Sequence, residues 1–192
     1  VVSLAAMSGI DLADATSAEA AQQGAGAAAA GATYPDPDFR QLDSWIVIRP
    51  DGTATFYVGK TDLGQGTGTA FRQIMSDELD VAFDKTTVVM GTTNLTVDQG
   101  GSGGSDALQT DGYPMRRVAA EARRVLLEMA SMQLGVPVTG LTVADGVVSV
   151  TADPSKRVTY GQLIGGRRFN VTLTGNNPDS TTGERPRLLA LK

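Results

Sequence analysis

Residues 60–79, KTDLGQGTGTAFRQIMSDEL, decide how the chain folds, because a glycine-rich turn here runs directly into an amphipathic helix. The glycines stand at alternate positions, Gly64, Gly66 and Gly68. Glycine tolerates a positive φ and lets another group approach the backbone closely. We call residues 60–68 the first glycine loop. The apolar residues after it have the i, i+3, i+4, i+8 spacing of a helix that faces a core: Phe71, Ile74, Met75 and Leu79.

The start of this helix predicts a site for an anion or a polar cofactor. Its first turn directs unpaired N–H groups at the glycines, and Thr67 or Thr69 is expected to cap it. Such a helix end attracts phosphate or another anionic oxygen. Gln65 has an amide that can donate and accept at once, so we expect it against a polar cofactor. The alternative is a tight turn that only packs a strand against a helix.

Two common nucleotide-binding motifs are absent from this loop. A P-loop ends in Gly-Lys-Ser/Thr, and no lysine follows Gly66 before Lys85. A dinucleotide-binding fold needs a third glycine where Thr69 stands. The first glycine loop is therefore a candidate anion site of neither kind.

Composition excludes several classes of function. The 192 residues carry a formal net charge of -5 and have a pI near 4.7, so no basic stripe exists to bind nucleic acid. The one local cluster of arginines is interspersed with acids and is expected to form a solvated helix face: Arg116, Arg117, Arg123 and Arg124. The chain contains no cysteine and no histidine. Metal sites built from these ligands, disulfides and Ser-His-Asp or Cys-His nucleophiles are therefore excluded for this chain acting alone.

Residues 1–43 are predicted to form an extended arm rich in alanine and glycine. The opening VVSLAAMSGI resembles the tail of an export-signal region and is far shorter than the ~20 residues of a membrane span. It slightly favours the periplasm over the cytoplasm, a choice that the lack of cysteine leaves undecided. The following SAEAAQQGAGAAAAGA is typical of a linker or of an arm lying along a partner.

Residues 44–173 are predicted to form an α+β domain in which a mixed β-sheet with hairpins is packed by two main helices. Alternating apolar residues on both sides of Asp51-Gly52 predict the first hairpin, and the β-branched stretch 85–93 predicts a third strand. A further hairpin is expected at Asp145-Gly146, followed by a strand and a short helix in RVTYGQLIGG. Residues 174–192 are predicted to be an exposed loop and C-terminal tail.

A second glycine loop, GGSGGSDA at residues 100–107, precedes the second main helix. Ser102 and Ser105 flank Gly103 and Gly104, which gives two hydroxyls and several exposed N–H groups without a bulky side chain. This predicts a second anion site; a flexible linker is the alternative. The helix is expected over residues 106–134, capped by Asp106 and bent near Pro114. Its predicted buried stripe is Val118, Ala122, Val125, Leu126 and Met129.

These two motifs together resemble the molybdenum hydroxylases, the xanthine dehydrogenase and aldehyde oxidase family. KTDLGQGTGTAFRQIMSDELDV is similar to that family's E-M-G-Q-G-x-x-T segment, and DQGGSGGSDALQTDGYPMRRVAAEARRVLL to the loop and helix that follow it. The order of hairpin, GQG turn, strand, GGS loop and long helix is similar to that in the β-subunits of isoquinoline oxidoreductases, one branch of the family. The resemblance covers about residues 44–165 and implies part of a larger molybdopterin-binding subunit. Asp62-Leu63 stands where Glu-Met is usual, a change that conserves volume at the apolar position.

The resemblance implies the cofactor and the residues that contact it. In the family these segments surround a molybdopterin, usually the cytosine dinucleotide in bacteria, whose dithiolene holds the molybdenum, so the protein itself need not ligate the metal. Carried over by position, the pterin contacts are Gly64, Gln65, Gly66 and Thr67. The residues that would contact the phosphate or nearby polar groups are Ser102 and Ser105, and those that would line the space beside the metal are Gly103 and Gly104.

The family's catalytic glutamate lies in a G-x-G-E segment near the end of a much longer polypeptide, and no such segment occurs here. The resemblance therefore implies a split, cleaved or isolated part of the subunit, with the catalytic base on another, larger chain. It also implies an iron–sulfur subunit and a flavin or cytochrome subunit as partners, for oxidation of an aldehyde or N-heterocycle with water as the oxygen source. The alternative is a non-catalytic binding or scaffold domain of a multi-chain complex. Asp62 and Asp106 beside the two loops are expected to have no catalytic role, with capping the favoured role for Asp106.

Overall fold

The computed structural model describes residues 37–173. Residues 1–36 of the predicted arm (1–43) and the predicted tail at residues 174–192 lie outside the described residues. The described part contains two three-stranded β-sheets, two long helices and one short helix. The predicted mixture of α and β structure is confirmed, while the single mixed sheet is replaced by two separate sheets. No helix within residues 37–173 is both long and apolar enough to cross a membrane.

The first sheet consists of β1 (Ile46–Ile48), β2 (Ala54–Val58) and β3 (Thr86–Met90), in that spatial order. Strands β1 and β2 form the predicted antiparallel hairpin, whereas β2 and β3 are parallel. β3 ends at Met90 rather than at the predicted residue 93, because Gly91 adopts a left-handed φ of 53° and turns the chain.

The parallel pairing explains why the two glycine loops meet. Helix α1 (Thr67–Leu79) crosses from β2 to β3, and helix α2 (Ala107–Leu134) follows β3 after the second loop. Since the carboxyl ends of adjacent parallel strands lie at the same edge of a sheet, the segments that follow β2 and β3 emerge side by side. These segments are the two glycine loops.

The main core lies between the first sheet and the two long helices. Phe71, Met75 and Leu79 of α1 are fully buried, and the predicted stripe of α2 is buried except for Met129, which is half-buried against the core. Helix α2 continues through Pro114 as one helix to Leu134.

The arginines of α2 form the expected solvated face only in part: Arg124 pairs with Glu121 and Glu128 of its own helix, whereas Arg116 and Arg123 do not. Arg116 donates to Glu78 with an Nε–Oε2 distance of 2.6 Å, and Arg123 donates to Asp80 with an Nε–Oδ2 distance of 2.7 Å. Glu78 is fully buried, so its pairing with Arg116 satisfies a carboxylate that would otherwise be costly. Two of the four arginines therefore hold α2 against α1.

The second sheet is an antiparallel meander of β4 (Leu141–Ala144), β5 (Val147–Val150) and β6 (Asp153–Thr159). These strands pair with one another because two-residue turns join them, one of which is the predicted turn at Asp145-Gly146. The predicted short helix is α3 (Tyr160–Ile164), which begins with a capping box formed by Thr159 and Gln162. The buried Tyr160 hydroxyl donates to the carbonyl of Leu79 over 3.0 Å and joins this half to α1.

Residues 37–43, assigned to the arm by the sequence, pack against the domain. Leu42 is fully buried, and Asp43 accepts the N–H groups of Phe169 and Asn170 at 2.7 and 2.9 Å. Burial raises the pKa of the Asp43 carboxyl in spite of these two hydrogen bonds. Gln41 pairs with Thr172 in an antiparallel bridge, so the two ends of the described domain lie together.

Candidate functional site

The first glycine loop is closed by a carboxylate of its own. Asp62 Oδ1 accepts the N–H groups of Gly64 and Gly66 at 3.0 and 3.2 Å, and Oδ2 accepts that of Gly68 at 2.8 Å. The N–H of Gly68 and those of the other two glycines lower the pKa of Asp62, because they stabilise its ionised form. The loop therefore carries its own anion at the start of α1.

The predicted cap of α1 is wrong. Gly66 occupies the N-cap position with a left-handed φ of 81°, and it provides no side chain. Thr67 is the first residue of the helix, so its hydroxyl does not cap, and Thr69 lies further inside. The acceptor comes instead from Asp62, six residues before the Gly68 N–H that it binds.

The side chain of Gln65 stabilises the first glycine loop by two hydrogen bonds. Its Oε1 accepts the N–H of Leu63 over 2.6 Å and its Nε2 donates to the carbonyl of Thr61 over 2.9 Å. The amide both donates and accepts, as the sequence indicates, but its partners here are backbone groups of its own loop. Its contact with a cofactor stays a prediction.

The second glycine loop lies against the first. Thr61 N–H donates to Ser102 Oγ over 2.7 Å, and Lys60 Nζ donates to the carbonyl of Gly101 over 2.9 Å. The structure thus brings the two predicted groups of site residues together. Ser105 is exposed and has a left-handed φ of 59°.

The lysine that joins the loops is itself buried and paired. Lys60 Nζ lies 3.3 Å from Asp111 Oδ2 on α2, and the two residues are 5% and 3% exposed. Asp111 Oδ1 accepts from Gln99 Nε2 over 3.0 Å, and Gln99 Oε1 accepts the N–H of Gly59 over 2.7 Å. A closed set of polar contacts therefore lies beneath both loops.

The contact between the two glycine loops is bordered by open space and by two buried polar atoms without partners. A Cβ added at any of the outer loop glycines would meet no atom within 4 Å: Gly64, Gly66, Gly100, Gly101, Gly103 and Gly104. Gly68 differs, because a Cβ there would lie 2.8 Å from Met90 Sδ. Within residues 37–173, Thr67 Oγ1 and Asp106 Oδ1 are the buried side-chain polar atoms without a hydrogen-bond partner. Both stand where a glycine loop enters its helix, and an unpaired buried polar atom in such a place fits an absent polar ligand.

Asp106 departs from its expected role. It occupies the N-cap position of α2, but its side chain makes no capping hydrogen bond. Its backbone carbonyl is the group that accepts from the N–H of Thr110, over 2.8 Å. The prediction that its carboxylate caps the helix is therefore wrong.

Sequence reasoning missed four residues that shape the site: Lys60, Asp62, Gln99 and Asp111. One signal was present for Asp111. It precedes Met115, Val118 and Ala122 by 4, 7 and 11 positions and so falls on the apolar stripe of α2, where a charged residue needs a buried partner. No comparable pattern identifies Gln99, because it lies outside the helices and strands.

The amino-acid sequence matches the model of a known family. The profile of the molybdopterin cofactor-binding domain matches residues 4–186, which is nearly the whole chain. The chain therefore belongs to the family of molybdopterin cofactor-binding domains, and the resemblance to the molybdenum hydroxylases is confirmed.

Known relatives are much longer than this chain. A nicotinate dehydrogenase subunit of Pseudomonas putida KT2440 is 33% identical over 153 residues, covering 80% of this chain and 13% of that protein. The beta subunit of isoquinoline 1-oxidoreductase from Brevundimonas diminuta is 28% identical, covering 62% of this chain and 16% of that protein. The solved CO dehydrogenase from Oligotropha carboxidovorans superposes with a TM-score of 0.56 and 26% identity, covering 62% of this chain and 15% of that one. The chain thus spans less than a fifth of the length of each.

Proposed function

We propose that this chain supplies part of the molybdopterin-binding site of a molybdenum hydroxylase that oxidises an aldehyde or an N-heterocycle, with water as the oxygen source. The observation that carries the proposal is the junction of the two glycine loops through Thr61–Ser102 and Lys60–Gly101. Two of the relatives are named for nicotinate and isoquinoline, which are both N-heterocycles and favour that substrate class.

The loop residues fit a large polar cofactor. The outer glycines border open space, since a Cβ added at any of them would meet no atom within 4 Å, and Thr67 Oγ1 and Asp106 Oδ1 offer buried polar atoms that lack partners. In this proposal Gly64, Gln65, Gly66 and Thr67 contact the pterin. The phosphate and the region beside the metal are contacted by Ser102, Gly103, Gly104 and Ser105.

When bound, the cofactor supplies the metal that activates water and accepts the electrons. The residues of this chain bind and orient it. Asp62 is not suited to remove a proton, because its oxygens already accept three N–H groups and its pKa is lowered, whereas a general base needs a pKa near the working pH. The catalytic base is therefore expected outside this chain, in the larger remainder of the subunit.

The proposal includes partners and a form of the cofactor. We infer a larger molybdopterin-binding chain with a catalytic glutamate, an iron–sulfur subunit that removes electrons and, further along the electron path, a flavin or cytochrome subunit. The cytosine dinucleotide is the expected cofactor form. The matched region is 13–16% of the length of two relatives, and the remaining residues of the reaction are expected in the part of such a protein that this chain does not cover.

The direct test is the cofactor content of the purified complex that contains this chain. Molybdenum is measured by mass spectrometry, and the nucleotide is released by acid hydrolysis and identified by chromatography. The expected result is one molybdenum and one cytosine nucleotide per complex. A complex that carries neither after growth with ample molybdate would overturn the proposal.

A steric variant tests the position of the cofactor. Gly103 has no positive φ and no atom within 4 Å of an added Cβ, so Gly103→Val is compatible with the fold of the loop itself. We expect this variant to retain thermal stability and to lose most of its molybdenum. Ala144→Val, which adds similar bulk at an exposed position of β4, is the matched control and should load normally. Normal loading of Gly103→Val would place the cofactor elsewhere.

One observation favours the second candidate, a scaffold domain that keeps the glycine turns for packing. Asp62 and Gln65 already satisfy backbone groups of the first glycine loop, as a purely structural turn requires. A scaffold would show no pterin in the complex and would tolerate Gly103→Val in every assay, so the same two experiments separate the candidates.

A further inference from the structure

Three polar side chains are buried directly beneath the two glycine loops. Lys60, Gln99 and Asp111 are 5%, 3% and 3% exposed, which is unusual for residues of these types. None of them belongs to the predicted set of cofactor contacts. Their burial therefore needs a reason other than contact with the cofactor.

Three hydrogen bonds join residues 59–61 of one loop segment to residues 99–102 of the other. Gly59 N–H donates to Gln99 Oε1, Lys60 Nζ donates to Gly101 O, and Thr61 N–H donates to Ser102 Oγ, at 2.7, 2.9 and 2.7 Å. Two of these three bonds use side chains of the buried set. The junction is thus built by side chains rather than by a strand ladder.

Helix α2 fixes the position of this junction. Asp111 Oδ2 lies 3.3 Å from Lys60 Nζ, and Asp111 Oδ1 accepts from Gln99 Nε2 over 3.0 Å. One carboxylate therefore holds the lysine of the first segment and the amide of the second. A displacement of Lys60 or Gln99 away from α2 would lengthen one of these contacts.

The close approach of the backbone at Gly59 adds a second constraint. A Cβ at this position would lie 1.9 Å from the carbonyl oxygen of Val97, so the backbones of the two segments are in direct contact. This contact sets how closely the segments pack, and the buried polar set determines their alignment along the chain.

A buried ion pair is poor evidence for stability, since removing two charges from water can cost as much as their attraction returns. Replacing a buried ion pair by apolar residues of similar size is often neutral or stabilising. The Lys60–Asp111 pair favours one defined geometry, because a conformation that leaves a buried charge without its partner is high in free energy. A contact that allows only one geometry is suited to hold two loops in a fixed alignment.

We propose that Lys60, Gln99 and Asp111 form a positioning site that sets the alignment of the two glycine loops and thereby controls how much molybdopterin the protein retains. The inference rests on the proposed function for its second half only. The alignment of the loops is a property of this chain and can be measured without the cofactor.

The experiment uses the purified complex from molybdate-replete cells and the same complex from molybdate-starved cells. Hydrogen exchange at the Gly59 and Thr61 amides reports loop alignment, and molybdenum per complex reports retention. In Lys60→Met we expect exchange at both amides to accelerate at least about tenfold with and without molybdate, the scale of a lost hydrogen bond to a charged group. Molybdenum content should fall well below that of the wild type.

Two further variants make the result specific. Val148→Ala, in the second sheet, reduces stability by creating a cavity away from the loops and should leave both readouts unchanged. The double variant Lys60→Met/Asp111→Leu leaves no buried charge without a partner. If Lys60→Met does not fold, the same two measurements are made on this double variant.

The possible failures are distinguishable. Unchanged exchange at Gly59 and Thr61 in a folded variant that lacks Lys60 overturns the positioning site, even if the wild type contains molybdenum. Accelerated exchange with undiminished molybdenum overturns the control of retention. A wild-type complex without molybdenum overturns the proposed function, while the exchange data still decide whether the loops are aligned by this site.

Discussion

The two glycine loops have similar compositions and are stabilised in different ways. The first is folded on itself, with Asp62 accepting three of its N–H groups and Gln65 bonding to its backbone on both sides. The second receives its main contacts from outside, through Lys60 and Thr61 of the first. Glycine permits the backbone conformations of both loops, but only the first loop is fixed by side chains of its own, the Asp62 carboxylate and the Gln65 amide.

The difference implies an order of dependence. The turn of the first loop can form from its own residues, since the hydrogen bonds of Asp62 and Gln65 are all made to backbone groups of residues 61–68. The second is expected to follow the first, because its contacts at Gly101 and Ser102 come from there. Changes at the contacts between the loops, such as those at Lys60 or Ser102, should therefore affect both loops. Changes at Asp62, whose contacts lie within the first loop, should remain mainly there.

The largest expected effect is that of Gly59→Ala. The added Cβ would lie 1.9 Å from Val97 O, so the segments beneath both loops must separate, at a cost of about 3 kcal/mol or more in the free energy of unfolding. Denaturant unfolding measures the cost, and hydrogen exchange should show both loops opened.

Gly161→Ala is the matched control for this variant. Its Cβ would lie 2.3 Å from Pro50 O, far from the loop junction in sequence and contacts, so we expect a comparable loss of stability without faster exchange in the loops. A wild-type free energy of unfolding in Gly59→Ala would show that the two segments are not held in contact.

Asp62→Ala should have the next largest effect, confined mainly to the first loop. It leaves the N–H groups of Gly64, Gly66 and Gly68 without their acceptor, and their amide exchange should accelerate. The matched change in the second loop segment is Asp98→Ala, which releases only the Gly100 N–H. Equal effects of the two variants would contradict the contrast between a self-stabilised loop and an externally held one.

Ser102→Ala is expected to have a smaller effect. It removes the acceptor of the Thr61 N–H, and the free energy of opening measured by exchange at Thr61 should fall by about 1 kcal/mol. Ser105→Ala changes an exposed hydroxyl in the same loop and serves as the control. If Ser105→Ala has the same effect at Thr61, the hydrogen bond to Ser102 is not what joins the loops.

The smallest effect is expected from acid. The pKa of Asp62 is lowered in the folded loop, chiefly by the Gly68 N–H, so its stabilisation is complete above the ordinary carboxyl pKa of about 3.9 and is lost as the pH falls through the lower folded value. The Gly68 amide chemical shift should be constant from neutral pH to about pH 4 and change below it. Asp62→Asn should abolish this step; a step that persists would assign it to another group.

Much of the fold could be predicted from local pattern. Turn residues at Asp51-Gly52 and Asp145-Gly146 indicate both hairpins, and apolar spacing indicates both long helices. The division into two sheets could not be predicted in this way, because strand pairing between distant segments depends on how the helices pack. The same holds for Arg116 and Arg123 of α2, whose partners Glu78 and Asp80 are 38 and 43 residues away.

In the candidate site, too, local features could be predicted from the sequence and long-range contacts could not. Composition identifies both glycine loops and their serines, since these features are local. Asp62 acts six residues from the helical N–H it binds, and the contacts of Lys60 with Gly101 and Asp111 span the whole crossover from β2 to α2. Threonine was the expected cap because capping rules consider only the residue at the helix start, which here is Gly66.

The pairing of residues 40–42 with residues 171–173 has a mechanical consequence. Leu173 N–H donates to Arg40 O at 2.7 Å and Leu42 N–H to Val171 O at 3.0 Å, so both ends of the described domain leave from the same end of a short ladder. Tension applied through the flanking chain would load these bonds one after another, as in a zipper, and not together. In an optical trap we expect a weak first rupture that frees these two segments before the core yields, and a single rupture at high force would refute this geometry.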